Sequence, residues 1–257
     1  MTSNLREIKQ ELAVREESAL VEVPAIPESL AMAGLEEVDR SDLILPRVRV
    51  IQPTSKLEGN PGQLHYNLTG EAVDAIHAVL LKMTKSRVCW DKDNLGADPL
   101  CASDDAKTPR SQYADIYSDA CASCPMAQWG VESDPSTPPA CRLVFNFLAA
   151  DLDHDDAIFV IGLGATSVKH AKKILSVFTL KRKPLFSQPV MVQAVKAESD
   201  KGKWYEVVIT PNGGSRQFDW RPYAAMYQAY QAVTVEADIE STLDTSANIP
   251  DVDEIPF

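Results

Sequence analysis

The sequence lacks most of the patterns that would assign it quickly. No apolar run approaches the roughly 18 residues of a membrane-spanning helix. The N-terminal stretch MTSNLREIKQEL is polar and does not have the charged-then-apolar order of an export signal. Neither a membrane protein nor a secreted one is expected. The four histidines (His65, His77, His154 and His170) are scattered, with neither the spacing of a catalytic triad nor HExxH. The segment GLGATS (162–167) lacks the GKS/T of a phosphate loop and completes no GxGxxG. No internal repeat is present. Positive charge is also short: 25 Lys and Arg face 37 Asp and Glu, a net charge of −12. As an average, that argues against a nucleic-acid binder.

What is present describes a folding chain with uneven charge. Hydrophobic residues make up 45% and charged residues 24% of 257, which excludes wholesale disorder and suffices for one large domain or two small ones. Residues 1–45 hold ten acids against four bases, and residues 231–257 hold seven acids and no base. Residues 157–230 are the reverse, with 11 bases and four acids. The acidity therefore belongs to the two ends, and a basic half lies between them.

Period-two alternation predicts strands at 47–52 and through much of 73–90. Residues 141–150 and 157–162 read as one hairpin, and 190–197 and 204–210 as another. Between the hairpins, residues 166–180 carry Val168, Ala171, Ile174, Leu175 and Phe178 at helical spacing behind a Thr/Ser cap. Pro222 opens a last helix. The expected fold is mainly β (α+β): an OB-fold-like barrel with its helix between the third and fourth strands, extra strands near 62–70 and a long insertion at 91–140. The expected organisation is an acidic N-terminal extension (1–45), a core (46–220) with the inserted module at about 90–141, a C-terminal helix (221–236), and a flexible acidic tail (237–257).

Four of the five cysteines follow Cys101-x19-Cys121-x2-Cys124-x16-Cys141 in a loop-rich stretch with little core of its own. A CxxC turn aims two thiolates at one point, and two more complete the tetrahedron zinc prefers, so a closed, structural Zn2+ site is expected. Disulfides, an iron–sulfur cluster and a redox CxxC are the alternatives. Cys89 stands apart in sequence, either a buried thiol or a substitute for Cys101. No catalytic constellation emerges and no enzyme is expected. The nearest candidate is the acidic turn DLDHDD (151–156), which as a hard-cation site would suit a metal-dependent nuclease. A solvated hairpin tip explains the same residues.

The chain ends in DVDEIPF. Asp251, Asp253, Glu254, Ile255, Pro256 and Phe257 resemble the acidic tip of bacterial single-stranded-DNA-binding proteins. In that family the tip docks replication, recombination and repair proteins and competes with DNA for the basic face. A terminal Phe beside its own carboxylate offers an anchor that a pocket with one Arg or Lys can capture. An OB-fold with an inserted zinc element is similar to the single-stranded-DNA-binding proteins of T-even phages, although that family's ligands include a histidine. The segments LPRVRVIQPTSKL, CASDD, CASCP and PPAC also resemble uncharacterised phage and prophage proteins.

These resemblances imply sequence-independent binding of single-stranded DNA in the host cytoplasm, with partner proteins recruited through the tip, no membrane association, and homo-oligomers allowed. Single strands are held by cations that track phosphates and aromatics that stack bases. The candidate cations are Arg47, Arg49, Lys82, Lys85, Arg87, Lys169, Lys173, Lys181, Arg182 and Lys183, and the candidate stackers are Trp90, Trp204 and Tyr205. A replication or recombination scaffold with weak DNA contact is the competing expectation.

Overall fold

Alternation at period two becomes strand, and apolar spacing near 3.6 becomes helix, throughout the middle of the chain. The computed structural model describes residues 33–38, 42–91, 94, 97–114, 116–130, 137–200, 202–212 and 218–240. The chain divides after Ile44 into two compact units. The described part of the first includes a turn in which the Val38 N–H donates to the Leu35 carbonyl at 3.1 Å. Everything below belongs to the second, residues 45–257.

Its strands are β1 (Arg47–Val50), β2 (Leu64–Tyr66), β3 (Ala72–Val73), β4 (Ala75–Cys89), β5 (Cys101–Ser103), β6 (Cys141–Asp151), β7 (Ala157–Leu163), β8 (Val190–Ser199) and β9 (Gly202–Pro211). Its helices are α1 (Val168–Leu180) and α2 (Arg221–Tyr230). The strands form one sheet in the order β3-β2-β1-β7-β6-β4-β8-β9, with β5 paired to β4. Both expected hairpins are present, as β6–β7 and β8–β9.

The sheet curls into a half-barrel, consistent with an OB-like barrel. Its two sides meet at Gln52: the amide Nε2 donates to the Tyr205 carbonyl at 2.7 Å, and Oε1 accepts the Tyr205 N–H at 2.9 Å. Gly62 makes that approach possible. It sits at φ +97°, and a Cβ there would lie 2.5 Å from Tyr205 Cε1.

β4, β6, β7, β8 and β9 are joined by antiparallel pairs, and α1 falls between the third and fourth of them. The helix position is as expected, but β4 rather than β1 is the first strand of the set. β1 instead pairs in parallel with β7 and comes beside β9.

One face of the sheet packs against α1 through Val48, Ile76, Leu80, Phe147, Phe159 and Ile161, among others. α1 buries Ala171, Ile174 and Phe178, the stripe its sequence predicts. β4 serves both faces by alternation, and a register shift between Leu80 and Lys82 resets that alternation. Leu80 and Met83 belong to the α1 side, while Val79 and Leu81 pack with Tyr223 of α2.

Two expectations change here. The Thr/Ser cap of α1 does not form: the Ser167 hydroxyl instead accepts the Val207 N–H of β9 at 3.0 Å. The last helix stops at Tyr230 rather than near 236, and residues 231–240 continue without regular structure. Val235 and Ala237 in this stretch are buried. No described helix is long and apolar enough to cross a membrane.

Candidate functional site

The insertion joins the sheet through β5, and that pairing gathers the cysteines. Cys89 at the end of β4 pairs with Cys101 of β5 on one side and Cys141 of β6 on the other. Directly paired residues share a face of an antiparallel ladder, so the three thiols form one row across three strands. Cys124, which opens the 3-10 turn Pro125–Ala127, packs into the same buried cluster, with Tyr113 and Met126 against it. Cys121 is buried too, its N–H donating to the Lys107 carbonyl at 2.8 Å.

All five cysteines are free thiols. Burial, with neighbouring sulfurs adding to it, pushes the Cys89 thiol up to about 11 and the Cys141 thiol up to about 12, and also raises Cys101. The sequence left Cys89 on the margin because it lies outside the CxxC spacing. The strand register puts it in the middle of the row.

As a donor set, buried thiols matching the CxxC pattern fit zinc. As geometry, no three His, Cys, Asp or Glu side chains among the described residues are arranged to hold a metal ion. The sulfurs would have to draw together around one.

The candidate DNA-binding residues fall into three groups according to what they touch. The first is engaged by residues 231–240, which cross the sheet as an acidic strap. Arg49 makes a two-point ion pair with Asp238 (2.7 and 2.8 Å) and a further contact with Glu240 at 2.8 Å. Arg47 donates to the Glu236 carbonyl. Lys82 donates to the carbonyls of Gln231 and Val233 at 2.7 and 2.8 Å. Arg110 bridges Asp104 at 2.8 Å and reaches Glu236 at 3.5 Å, and Asp104 in turn accepts the Ala237 N–H. Trp90 packs nearby on Val88, Ala102 and Ala237.

Sequence reading missed this strap and Arg110. A signal was there: acids alternate with apolar residues over 235–240, matching the alternation of Arg47, Val48 and Arg49.

A second group closes α1 onto β9. Glu206 is 3% exposed and holds Lys169 at 2.8 Å, His170 at 2.8 Å and the Trp204 indole N–H at 3.2 Å. Burial opposes its ionisation, but those hydrogen bonds keep its pKa below the ordinary value. Tyr205 is committed at its backbone to Gln52 and at its ring to Gly62.

The third group is open. Lys173, Lys181, Arg182 and Lys183 are exposed and make no ion pair among the described residues. Lys85 lies over the Phe145 ring, 5.2 Å from its centroid. Arg87 donates to the Cys141 carbonyl at 3.0 Å, while its buried Nε has no partner among the described residues.

The carboxylates of the acidic turn go to separate partners. Asp151, 1% exposed, accepts from the Tyr66 hydroxyl and lies 2.9 Å from His154 Nδ1. Asp153 faces His77 at 3.2 Å, and Asp156 accepts from the Tyr223 hydroxyl at 2.9 Å. The turn thereby ties β2 and α2 to the β6–β7 hairpin. The tip residues Asp251, Asp253, Glu254, Ile255, Pro256 and Phe257 lie outside the described residues.

The family model described as "Pam3 phage gp34-like protein" matches residues 16–237. No curated protein and no solved structure matches the chain.

Proposed function

The chain belongs to the Pam3 phage gp34-like protein family, and from that premise we propose that it is a phage single-stranded-DNA-binding protein acting in replication or recombination. The observation that carries the reading is the half-barrel itself. Five of its strands and α1 follow the OB-like order, and a cysteine-rich module is inserted between the first two of them. OB-like barrels bind single strands by combining cations with aromatic faces, without reading sequence. The open cations Lys173, Lys181, Arg182 and Lys183 supply the positive charge such binding needs.

In this reading the cysteines hold a structural Zn2+, which would fix the insertion to the edge of β4. Cys101, Cys121, Cys124 and Cys141 follow the expected spacing, and Cys89 lies in the same row. The acidic C-terminal tip recruits replication, recombination or repair proteins of the host, in whose cytoplasm the protein works. DNA binding is tested by fluorescence anisotropy with a labelled oligo-dT and a duplex of equal length across a salt series. Single strands should bind more tightly, and affinity should fall linearly with salt on logarithmic axes.

A scaffold reading draws on one specific observation, that Arg47, Arg49 and Lys82 are already engaged by the strap. It requires that the oligonucleotide not bind at physiological salt while the tip still captures partners.

A further inference from the structure

Next to the open cations lies a cleft that the sequence did not reveal. Leu81 and Met83 of β4, Leu175 of α1, Phe186 in the turn after α1, and Tyr227 of α2 line it, with a volume of about 650 Å³. The rings of Phe186 and Tyr227 stand 5.5 Å apart, tilted by 35°, and both are half-buried, presenting part of their surface. Lys82 reaches the rim, its ammonium held on the Gln231 and Val233 carbonyls. Three exposed cations, Lys181, Arg182 and Lys183, immediately precede Pro184, itself a lining residue, in the chain.

The backbone of that basic turn supports a role in binding. α1 ends in a Schellman arrangement: the Lys183 N–H donates to the Phe178 carbonyl at 3.1 Å and the Arg182 N–H to the Thr179 carbonyl at 3.0 Å. Arg182 occupies the left-handed position of this motif at φ +50°, where glycine is the residue that folds most easily. An arginine there is conformationally unfavourable and contributes no ion pair to the described fold. Its side chain is exposed, two residues before Pro184 of the cleft lining.

We propose that this cleft is a nucleotide-binding site for single-stranded nucleic acid: a base enters between the apolar wall and the Phe186–Tyr227 pair while the adjoining phosphates lie along Lys181, Arg182 and Lys183. The inference rests on the single-strand-binding reading and names a place for it. The complementarity is specific to a polyanion with apolar faces. The volume accommodates about one or two nucleotides, and stacking on an aromatic contributes of the order of tenfold or more in affinity per base.

The test uses the full chain and an oligo-dT carrying 5-iodouracil, with photocrosslinks mapped by peptide mass spectrometry and affinities measured by anisotropy. Crosslinks at Phe186 or Tyr227 are expected. Arg182→Gly should melt at or above the temperature of the parent protein yet bind several-fold more weakly, because it relieves the backbone and removes the charge. Lys181→Glu with Lys183→Glu, both on the surface, should weaken binding by on the order of tenfold or more. Tyr227→Ala should do the same while far-UV circular dichroism stays unchanged, and the charge variants decide the matter if Tyr227→Ala does not fold.

Oligonucleotide that binds the parent protein, crosslinks elsewhere and is indifferent to these substitutions would overturn the site while leaving the broader function standing. Failure of the parent protein to bind at all would overturn both. Protection of Phe186 and Tyr227 by a DVDEIPF peptide rather than by oligonucleotide would assign the cleft to a peptide and overturn the proposal.

Discussion

Asp151 shows how a residue that reads as surface in sequence can be structural. DLDHDD resembles a solvated turn, yet its first carboxylate is buried and receives Tyr66 and His154. The hydrogen bond that His154 donates to Asp151 is the main reason its pKa is raised, with Glu71 and Asp153 adding to it. A pKa raised by folding stabilises the fold at pH below the unfolded value, near 6.5, and that contribution disappears as pH rises through the folded value. The melting-temperature difference between the parent protein and His154→Gln should therefore be largest near pH 5 and shrink toward pH 8. A pH-independent difference would show that His154 acts through packing alone.

The cysteines make a parallel case. Their spacing was legible, but the place of Cys89 was not, because only strand register puts it between Cys101 and Cys141. Zinc bound at this row should appear in elemental analysis of the purified protein, and chelation should lower the melting temperature. Cys121→Ser with Cys124→Ser should abolish retention of the metal, whereas protein purified without zinc would remove the metal from the account.

Hairpins and the α1 stripe were readable from sequence because each depends on contacts a few residues apart. The position of β1 was not readable. Its alternation says that it is a strand, but nothing local says that it pairs in parallel with β7 and comes beside β9. The closure depends on Gln52 and Gly62, whose contacts with Tyr205 no local pattern announces. Gln52→Ala would leave the Tyr205 N–H and carbonyl without their partner, costing about 1–3 kcal/mol. Gly62→Ala combines a left-handed backbone with a 2.5 Å clash against Tyr205, and the backbone alone costs about 1–2 kcal/mol. Urea melts should give losses in these ranges, and unchanged midpoints would mean that the two sides of the half-barrel do not depend on this clasp.

The strap was hard to read for a different reason, although its alternation over 235–240 was a signal. Acidic, proline-poor sequence after a helix resembles the start of a solvated tail, and only the paired rows of Arg47, Arg49, Glu236 and Asp238 reveal the match. Arg49→Ala should release the strap and open the bonds around residues 235–240 to faster hydrolysis by a glutamyl protease, with little change at α1.

Across the whole molecule, net charge was the least informative number. The −12 combines acidic ends with a basic half, and part of the C-terminal acidity is spent on arginines of the sheet. Of the cations that sequence alone nominates for DNA, Arg49 and Lys169 are paired with carboxylates within the fold, and Arg47 and Lys82 are held on backbone carbonyls. Lys173 on α1 and Lys181, Arg182 and Lys183 in the turn that follows it make no ion pair among the described residues, so the proposed interface shifts toward these four. Family membership supplies the phage context, and the half-barrel is the observation on which the single-strand-binding proposal rests. The most direct measurement is anisotropy of a fluorescein-labelled oligo-dT titrated with the full chain at physiological salt, alongside the same length of duplex. Saturable binding that prefers the single strand and weakens steeply with added salt is the expected result. No binding to single strands, or equal binding to both forms, would contradict single-strand binding as the function of this protein.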